Sequence, residues 1–596
     1  MAALQRFLEE ARRRRVFRVA GIYVVAGWLA VQVASEALPA LDLEAGAIRY
    51  VWLAVLLGFP LALVFGWFFD VSPAGIVRTP PAAPAAAAPG LRRTDYLILA
   101  ALAVIAAGIL LELSGQVRET AAPRATPADP LSIAVLPLDN LSGDPEQAWF
   151  AAGMHDALIS ALSRVSGLRV TSRTSTKPYA DSEKSAPEIG AELGVARLVE
   201  GSVYRAGDRV RIIVQLIDAT RDDHLWEQTF ERELTDVLRL QSDITRAIAG
   251  RIQVELTRAD ERSVASAASV VPGAYEAYLK GQFHTERFTP EDMRLAADYY
   301  RRAVELDPES PLGHWGLYRI CGFQVQAGLI RPREGHPKCR ASLLRAFELD
   351  DTLAEVHMGL ALSYWLYDYN WPAADAAFRR SLELNPSYAE ARMFYAHFLA
   401  VMRKPGESTV QIELARELDP LNVFVRALHG AQVVLVGDTA AGVAQIEDCL
   451  REVPALGFGF DVLWFGNARL GRWNAAYEAA VSHFGITMGQ HEIAAALVRG
   501  HAAGGYRNAM REGALAAERV SGSAYVPAVE ISLLWEMAGD ADKAFEWLDT
   551  AYDWHDPTLP YIAATGMMFA LDEDPRFRAL LERMDLAMWI EETAGG

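Results

Sequence analysis

Two groups of side chains have residue types and spacing that could bind a metal ion. His491-Glu492 begins the zinc-protease pattern, in which a second histidine follows the first by four residues, but Ala495 occupies that position. Asp139, Asp144 and Glu146 could together hold a cation. The Asn, Ser, Gly and Pro residues among them are typical of a turn and a helix cap, which favours a structural role.

Other catalytic patterns are missing from the sequence. It contains no Walker A phosphate loop, no Gly-x-Ser-x-Gly nucleophile elbow and no glycine-rich dinucleotide motif. We therefore expect no catalytic residue, no metal and no cofactor, and hence a protein that is not an enzyme.

Three cysteines are too few for a disulfide framework. Cys449 lies five residues before Pro454, where the repeats described below require a small buried side chain. Cys321 and Cys339 lie at the facing ends of two predicted helices. Both a disulfide between them and two separate thiols fit this spacing.

The acidic charge is concentrated in one part of the chain. The net charge is −19, yet residues 1–115 hold 10 Lys/Arg against 8 Asp/Glu. The remaining residues hold 47 against 68, a balance of −21. Because such a surface repels phosphate backbones, we expect no nucleic-acid partner there.

Three apolar runs precede the acidic region, at residues 19–35, 50–69 and 96–111. The second holds twenty uncharged residues, enough for a helix to cross about 30 Å of hydrocarbon. A cleaved signal peptide is the alternative for the first run, and buried helices of a soluble domain are the alternative for all three. The favoured prediction is a membrane anchor over residues 1–115 with three transmembrane helices.

Basic residues set the predicted orientation of this anchor. Arginines at 12–15 and 18 precede the first run, and Arg78, Arg92 and Arg93 lie between the second and third. The positive-inside rule places these segments in the cytoplasm. Three crossings of a bacterial inner membrane then place the residues after about 115 in the periplasm, beginning with a linker at 116–130.

Residues 131–257 carry mixed strand and helix signals. Runs at 132–138, 197–204 and 209–218 are typical of strands, whereas residues 150–162 and 237–256 have helical periodicity. A small α+β domain is therefore predicted.

Four phrases of this region resemble those of a known domain: Ile133-Ala-Val-Leu-Pro-Leu138, Gly201-Ser-Val203, Leu216-Ile-Asp218 and His224-Leu-Trp226. They are similar to the TolB-like N-terminal domain. The whole chain resembles bacterial membrane-anchored proteins in which this domain precedes tetratricopeptide repeats. Arg15-Val-Phe-Arg-Val19 and Pro73-Ala-Gly-Ile76 resemble elements of their membrane segment. The resemblance implies an architecture rather than an activity.

A recurring phrase marks the rest of the chain: Glu305-Leu-Asp-Pro308, Glu348-Leu-Asp-Asp351, Glu383-Leu-Asn-Pro386 and Glu417-Leu-Asp-Pro420. The step from Pro386 to Pro420, and again to Pro454, is 34 residues, the period of tetratricopeptide repeats. We expect an all-α solenoid of about eight units over residues 273–596, closed by a cap helix.

Small, aromatic and closing-proline positions define these repeats. They are Ala296, Tyr300, Ala303, Pro308, Ala374, Phe378, Pro386, Ala415, Pro420, Pro454, Ala544 and Ala551. An aromatic cluster at 363–371 fits either a ligand patch or helix packing around a widened turn.

The sequence thus predicts a multidomain protein: three transmembrane helices, a small TolB-like α+β domain and a repeat solenoid. The expected function is a membrane-anchored periplasmic scaffold that binds proteins or peptides in the repeat groove. The alternative is a membrane sensor that relays a periplasmic signal to a partner membrane protein.

Overall fold

The computed structural model describes residues 129–586, apart from 143, 145–146, 255, 259, 262–269, 288, 327–329, 455, 566–567 and 569, together with some positions within 23–32, 55–59 and 69–78. The chain divides into two compact units, residues 1–122 and 123–596. Each unit is considered by itself below.

In the first unit, residues of the first two apolar runs contact each other. The Tyr23 hydroxyl donates a hydrogen bond to the Val55 carbonyl at 2.9 Å, and the Tyr23 and Phe59 ring centroids lie 6.0 Å apart. Phe69–Ser72 (β1) and Gly75–Arg78 (β2) form an antiparallel hairpin. Phe69, the last residue of the second run, therefore lies in a strand.

The prediction of three transmembrane helices is wrong. Within the described positions, no helix has the length and apolar character needed to cross a membrane. Apolar composition predicts that side chains are covered, but it does not decide whether lipid or another segment covers them. The predicted inner-membrane location and orientation depended on these helices and are wrong for the same reason. The third run at 96–111 and residues 116–128 of the predicted 116–130 linker lie outside the described residues.

The second unit begins with a six-stranded sheet. Its strands are Ser132–Val135 (β3), Asp139–Asn140 (β4), Arg169–Val170 (β5), Arg197–Ala206 (β6), Arg209–Asp218 (β7) and Asp223–Glu233 (β8). The order is β5-β3-β6-β7-β8, with β4 beside β6. β3 runs parallel to β5 and β6, whereas β6, β7 and β8 form an antiparallel meander.

Helices cover both faces of this sheet. They are Ala148–Ser163 (α1), Arg173–Thr176 (α2), Ala186–Leu193 (α3) and Val237–Arg251 (α4). Successive side chains of β3 point to opposite faces of the sheet. Ile133 and Val135 therefore lie in the core with α1 and α4, and Ala134 lies in the core beneath α3. We refer to residues 129–254 as the α+β layer.

Among the described residues, eight antiparallel helix pairs follow, and these are tetratricopeptide-type repeats, as the sequence predicts. Their A and B helices are Pro272–Thr285 (α5) with Pro290–Leu306 (α6), Pro311–Gln326 (α7) with Pro332–Leu349 (α8), Ala354–Leu366 (α9) with Trp371–Leu384 (α10), Ala389–Val401 (α11) with Pro405–Leu418 (α12), Val423–Leu435 (α13) with Thr439–Glu452 (α14), Phe458–Arg469 (α15) with Trp473–Ser482 (α16), the two halves of His491–Ser521 (α17), and Ala528–Ala538 (α18) with Ala541–Trp554 (α19).

Repeat 7 has its turn inside α17. The backbone leaves helical geometry at Gly504 and Gly505, and Gly505 has φ +73° with ψ −162°, a conformation that only glycine adopts at low cost. The two glycines therefore divide this helix into the A and B helices of one repeat.

Repeat 2 has a lengthened turn between its helices. The structure joins Cys321 of α7 to Cys339 of α8 by a disulfide, with 5.5 Å between the two Cα atoms. Cys449 is a free, buried thiol in α14.

The first repeat shares its core with the α+β layer. Tyr275, Tyr278 and Tyr300 lie in the same apolar cluster as Met154 and Leu158 of α1. The layer and the repeats are therefore packed directly together within the second unit.

We predict that Ala374→Leu destabilises the repeats. Ala374 is fully buried in α10, the B helix of repeat 3, so the larger side chain has no room. Overpacking of this kind should lower the free energy of unfolding by about 1–3 kcal/mol. Urea denaturation measures this difference. Ala376→Leu, at an exposed position of the same helix, is the matched control. Equal unfolding free energies for the two variants would contradict the assigned repeat register.

Candidate binding site on the inner face of the repeats

The candidate site is the surface formed by the A helices of repeats 3–5. Successive A helices contact one another along the first six repeats, so they form one continuous side of the array. We call the part of this side formed by α9, α11 and α13 the inner face. Its buried side chains include Trp365, His397 and Phe398.

The inner face already holds a polypeptide, which is the chain itself. Residues 556–574, here named the C-terminal segment, follow the last repeat. Leu559–Tyr561 forms a 3₁₀ turn that contacts α9, and Ile562–Thr565 (α20) contacts α11 and α13. A final helix, Pro575–Arg583 (α21), packs against α19.

Aromatic contacts fix this segment in place. The Tyr561 ring lies 5.3 Å from the Trp365 ring and 6.1 Å from the His397 ring. Trp365 also packs edge-on against Phe398 at 5.8 Å. Such ring pairs each add roughly 0.5–1.5 kcal/mol beyond the burial of their area. His397 Nε2 is hydrogen-bonded to the Leu428 carbonyl at 2.9 Å, so this histidine also joins repeats 4 and 5.

The turn of repeat 3 meets the end of the repeat array. The Trp371 indole N–H donates to the Met584 carbonyl at 2.8 Å, and the Tyr369 ring stacks on Tyr552 at 5.7 Å. His555 Nδ1 lies 2.8 Å from the Tyr367 carbonyl oxygen. The sequence left two interpretations of the aromatic cluster at 363–371, a ligand patch or helix packing, and the structure shows packing. The cluster packs against residues about two hundred positions later in the chain. We call this contact region the seam.

The α+β layer lies against the turns that join successive repeats. The Ser175 hydroxyl donates to Asp419 at 2.6 Å and accepts from the Leu421 N–H at 2.9 Å. The Ser387 hydroxyl donates to the Leu168 carbonyl at 3.0 Å. Burial raises the pKa of Asp419, and the Ser175 bond opposes that rise. The layer therefore binds the turns that precede repeats 4 and 5.

A small cavity of about 180 Å³ lies at this junction. Its lining includes Arg169, Ser387 and Arg392. The Arg392 guanidinium donates a hydrogen bond to the Pro386 carbonyl, and burial lowers the pKa of this guanidinium. Since these groups already bind backbone or paired side chains, the cavity is part of the junction between the layer and the repeats.

Buried ionisable groups surround the C-terminal segment. Glu536 of α18 accepts a hydrogen bond from the Ala570 N–H at 2.8 Å, and burial raises its pKa to about 8. Burial raises the pKa of Asp461 to about 7. His483 Nε2 lies 3.1 Å from Glu530 Oε1. Protonated carboxyl groups therefore belong to the folded state near neutral pH.

The chemistry-bearing residues of the sequence do not come together. His491 begins α17, and Asp139 is exposed in β4. In the described part of the chain, no group of three His, Cys, Asp or Glu side chains could hold a metal. That the protein is not an enzyme stays a proposal.

The residues that define the repeats lie in the helix contacts. The side chains of Ala296, Tyr300, Ala303, Ala374, Phe378, Ala415, Ala544 and Ala551 are at most 1% exposed. Pro386 and Pro420 are half-buried at the turns, and Pro308 and Pro454 are exposed. Their role as repeat markers stays a prediction.

Sequence reasoning missed the residues that fill the inner face. Tyr561 and Glu536 have no motif around them, and the one available signal was the density of aromatic side chains at 363–371, which required a partner. Nothing in the sequence indicates that this partner lies beyond the last repeat.

Comparisons with known proteins cover parts of the chain. Residues 129–247 match the family described as "HilA/YgeH-like transcriptional regulator, second domain". "Putative adenylate cyclase 3" of Rhizobium meliloti (strain 1021) is 39% identical over 195 residues, 33% of this chain. The chain spans 33%, about a third, of the length of this curated relative.

Solved repeat structures are also similar. TTC0263, a thermophilic TPR protein of Thermus thermophilus, is 15% identical with a TM-score of 0.26, covering 30% of this chain and 92% of its own. The human IFIT1 dimer with m7Gppp-AAAA is 12% identical with a TM-score of 0.36, covering 53% and 77%. The assignment of the repeats here depends on their helix pairs and period.

We predict that Glu536 lowers the free energy of unfolding as pH rises from about 5 to 8. The folded pKa of Glu536 lies above the usual glutamate value of 4.5, so over this window the folded chain keeps a proton that the unfolded chain loses. Glu536→Gln should flatten this slope and stabilise the chain at pH 8 by on the order of a few kcal/mol. Urea denaturation at pH 5, 6.5 and 8 measures the effect. Glu546→Gln, on an exposed side chain of α19, should keep the pH dependence of the parent. The same pH dependence for Glu536→Gln and the parent would contradict the prediction.

Proposed function

We propose that this chain is a binding scaffold that holds a segment of a protein partner on the inner face of repeats 3–5. One observation carries the proposal: this face already binds a piece of polypeptide, the C-terminal segment. The contacts are those of a peptide site, with one aromatic side chain of the segment among Trp365 and His397. The chain is proposed to act without catalysis.

Charge narrows the class of partner. The residues after 115 carry an excess of 21 acidic side chains, which disfavours nucleic acid and favours a neutral or basic partner. Among the buried ionisable groups near the C-terminal segment, the imidazole of His483 faces the carboxyl groups of Asp461 and Glu530, and Glu530 in turn lies near Asp556. A partner segment with a basic side chain would offset this excess of carboxyl groups.

The α+β layer is proposed to act as a brace. It shares a core with repeat 1 and binds the turns before repeats 4 and 5 through Ser387 and Asp419. It would therefore fix the spacing of the helices that form the inner face. The resemblance to the TolB-like N-terminal domain remains part of this proposal, since the family that matches residues 129–247 is described differently.

A second candidate function is regulation of a signalling output. The similarity to a regulator domain and to part of a protein named as an adenylate cyclase favours it. In this reading, partner binding by the repeats would control an activity carried by another polypeptide.

Peptide selection against the full chain tests the first proposal. A phage-displayed library of random peptides should yield binders that slow amide hydrogen exchange in α9, α11 and α13, because these helices form the inner face. The outer helices α10, α12 and α14 should exchange at an unchanged rate. Mass spectrometry of the exchanged protein gives both readouts.

The matched control is Val410→Ser on α12, whose valine is 56% exposed. It should bind the selected peptides with the affinity of the parent. Failure to enrich any peptide, or protection confined to the outer helices, would overturn the proposed function.

A further inference from the structure

The C-terminal segment turns into the repeat array at a defined point. Helix α19 ends at Trp554, and His555 adopts left-handed geometry with φ +52°. The Asp556 carboxylate then accepts hydrogen bonds from the Thr558 N–H at 3.0 Å, the Thr558 hydroxyl at 2.7 Å and the Val529 N–H at 3.2 Å. These bonds hold the turn that joins α19 to the residues at the inner face.

The segment contacts the preceding repeat 8 and also binds helices far from it in sequence. Leu559 and Ile562 are fully buried, and the elements that contain them contact repeats 3–5. An ordinary cap would cover only the last repeat. Here the cap role falls to α21, which packs on α19, so the C-terminal segment has a separate role.

The fit of this occupant is incomplete. The Trp365 side chain is fully buried, yet among the described residues its indole N–H has no hydrogen-bond acceptor. The second carboxyl oxygen of Glu536 is likewise buried without a described donor. Because buried polar atoms without partners raise the free energy of a bound state, a ligand that offers an acceptor to Trp365 would bind better.

We propose, on the basis of the function proposed above, that the C-terminal segment is an intramolecular competitor for the inner face. It occupies the site until a partner segment displaces it. The partner segment presents an aromatic side chain in place of Tyr561 and a backbone carbonyl or carboxylate oxygen to the Trp365 indole N–H. The free chain is therefore closed, and the bound chain carries its C-terminal segment released.

The tethered segment sets the strength of this competition. A segment on the same chain has an effective concentration on the order of millimolar. If the closed form is populated to about 90% or more, the apparent affinity for an external peptide falls about tenfold or more. A substitution that weakens the binding of the C-terminal segment should therefore raise the apparent affinity for the external peptide by the same factor.

The probe is a fluorescein-labelled synthetic peptide with the sequence of residues 556–574, added to the full chain. Tyr561→Ser should bind it at least tenfold more tightly than the parent, as measured by fluorescence anisotropy. Tyr204→Ser, on an exposed tyrosine of β6, is the control and should bind like the parent. Equal affinity of the parent and Tyr561→Ser would overturn the competitor role.

Trp365→Phe tests the kind of partner. It keeps a ring at the site and removes the N–H, so peptides selected from the random library should bind about tenfold more weakly. The peptide of residues 556–574, which leaves that N–H without an acceptor, should keep its affinity for Tyr561→Ser when Trp365→Phe is added. Equal loss for both peptides would show that the donor has no part in recognition.

Hydrogen exchange of the parent chain covers the case in which Tyr561→Ser does not fold. A displaceable segment exchanges its amides through local opening, faster than those of α9 and α11. Exchange of all three at one rate would mean that the segment is a fixed part of the core and would overturn the proposal. Library peptides that protect the inner face of the parent and of Tyr561→Ser with equal affinity would leave the proposed function standing and reject the competitor role alone.

Discussion

Each helix pair of this protein has an apolar face that it cannot bury by itself, and the architecture of the second unit follows from that constraint. Stacking covers the faces between neighbouring repeats. The first repeat is covered by α1 of the α+β layer, with Tyr275 and Tyr278 in the shared core. The A helices of repeats 3–5 remain, and the chain covers them with residues 559–565 of its C-terminal segment. The Tyr561–Trp365 contact thus completes the burial that the repeats begin.

The same constraint explains why the seam is aromatic. Repeats 3 and 8 meet through turns and helix ends, where backbone groups need partners as well as cover. Indole and phenol side chains supply both, because Trp371 donates to a carbonyl while its ring packs among neighbours. Polar bonds of this kind fix one arrangement of the two ends, which apolar contact alone would leave less specific.

Sequence reasoning recovered what depends on local periodicity. The 34-residue step and the small residues around Ala374 and Phe378 predict helix pairs, because close packing inside each pair imposes the same residue types every time. The seam and the filled inner face have no such period. Tyr561 and Trp365 are separated by most of the repeat region, and neither residue type nor spacing connects them. The membrane prediction failed for a different reason. An apolar run indicates that its side chains must be buried, but it does not show whether lipid or another segment of the chain buries them.

The long sequence separation across the seam has a consequence during synthesis. The Trp371–Met584 bond joins residues 213 positions apart, so the inner face of repeats 3–5 leaves the ribosome well before the residues that cover it. At roughly 5–20 residues per second, that interval is roughly 10–40 s. For this period the nascent chain presents Trp365 and Phe398 to the surroundings of the ribosome. Chaperones that bind apolar nascent segments therefore meet this face before the chain's own C-terminal segment does.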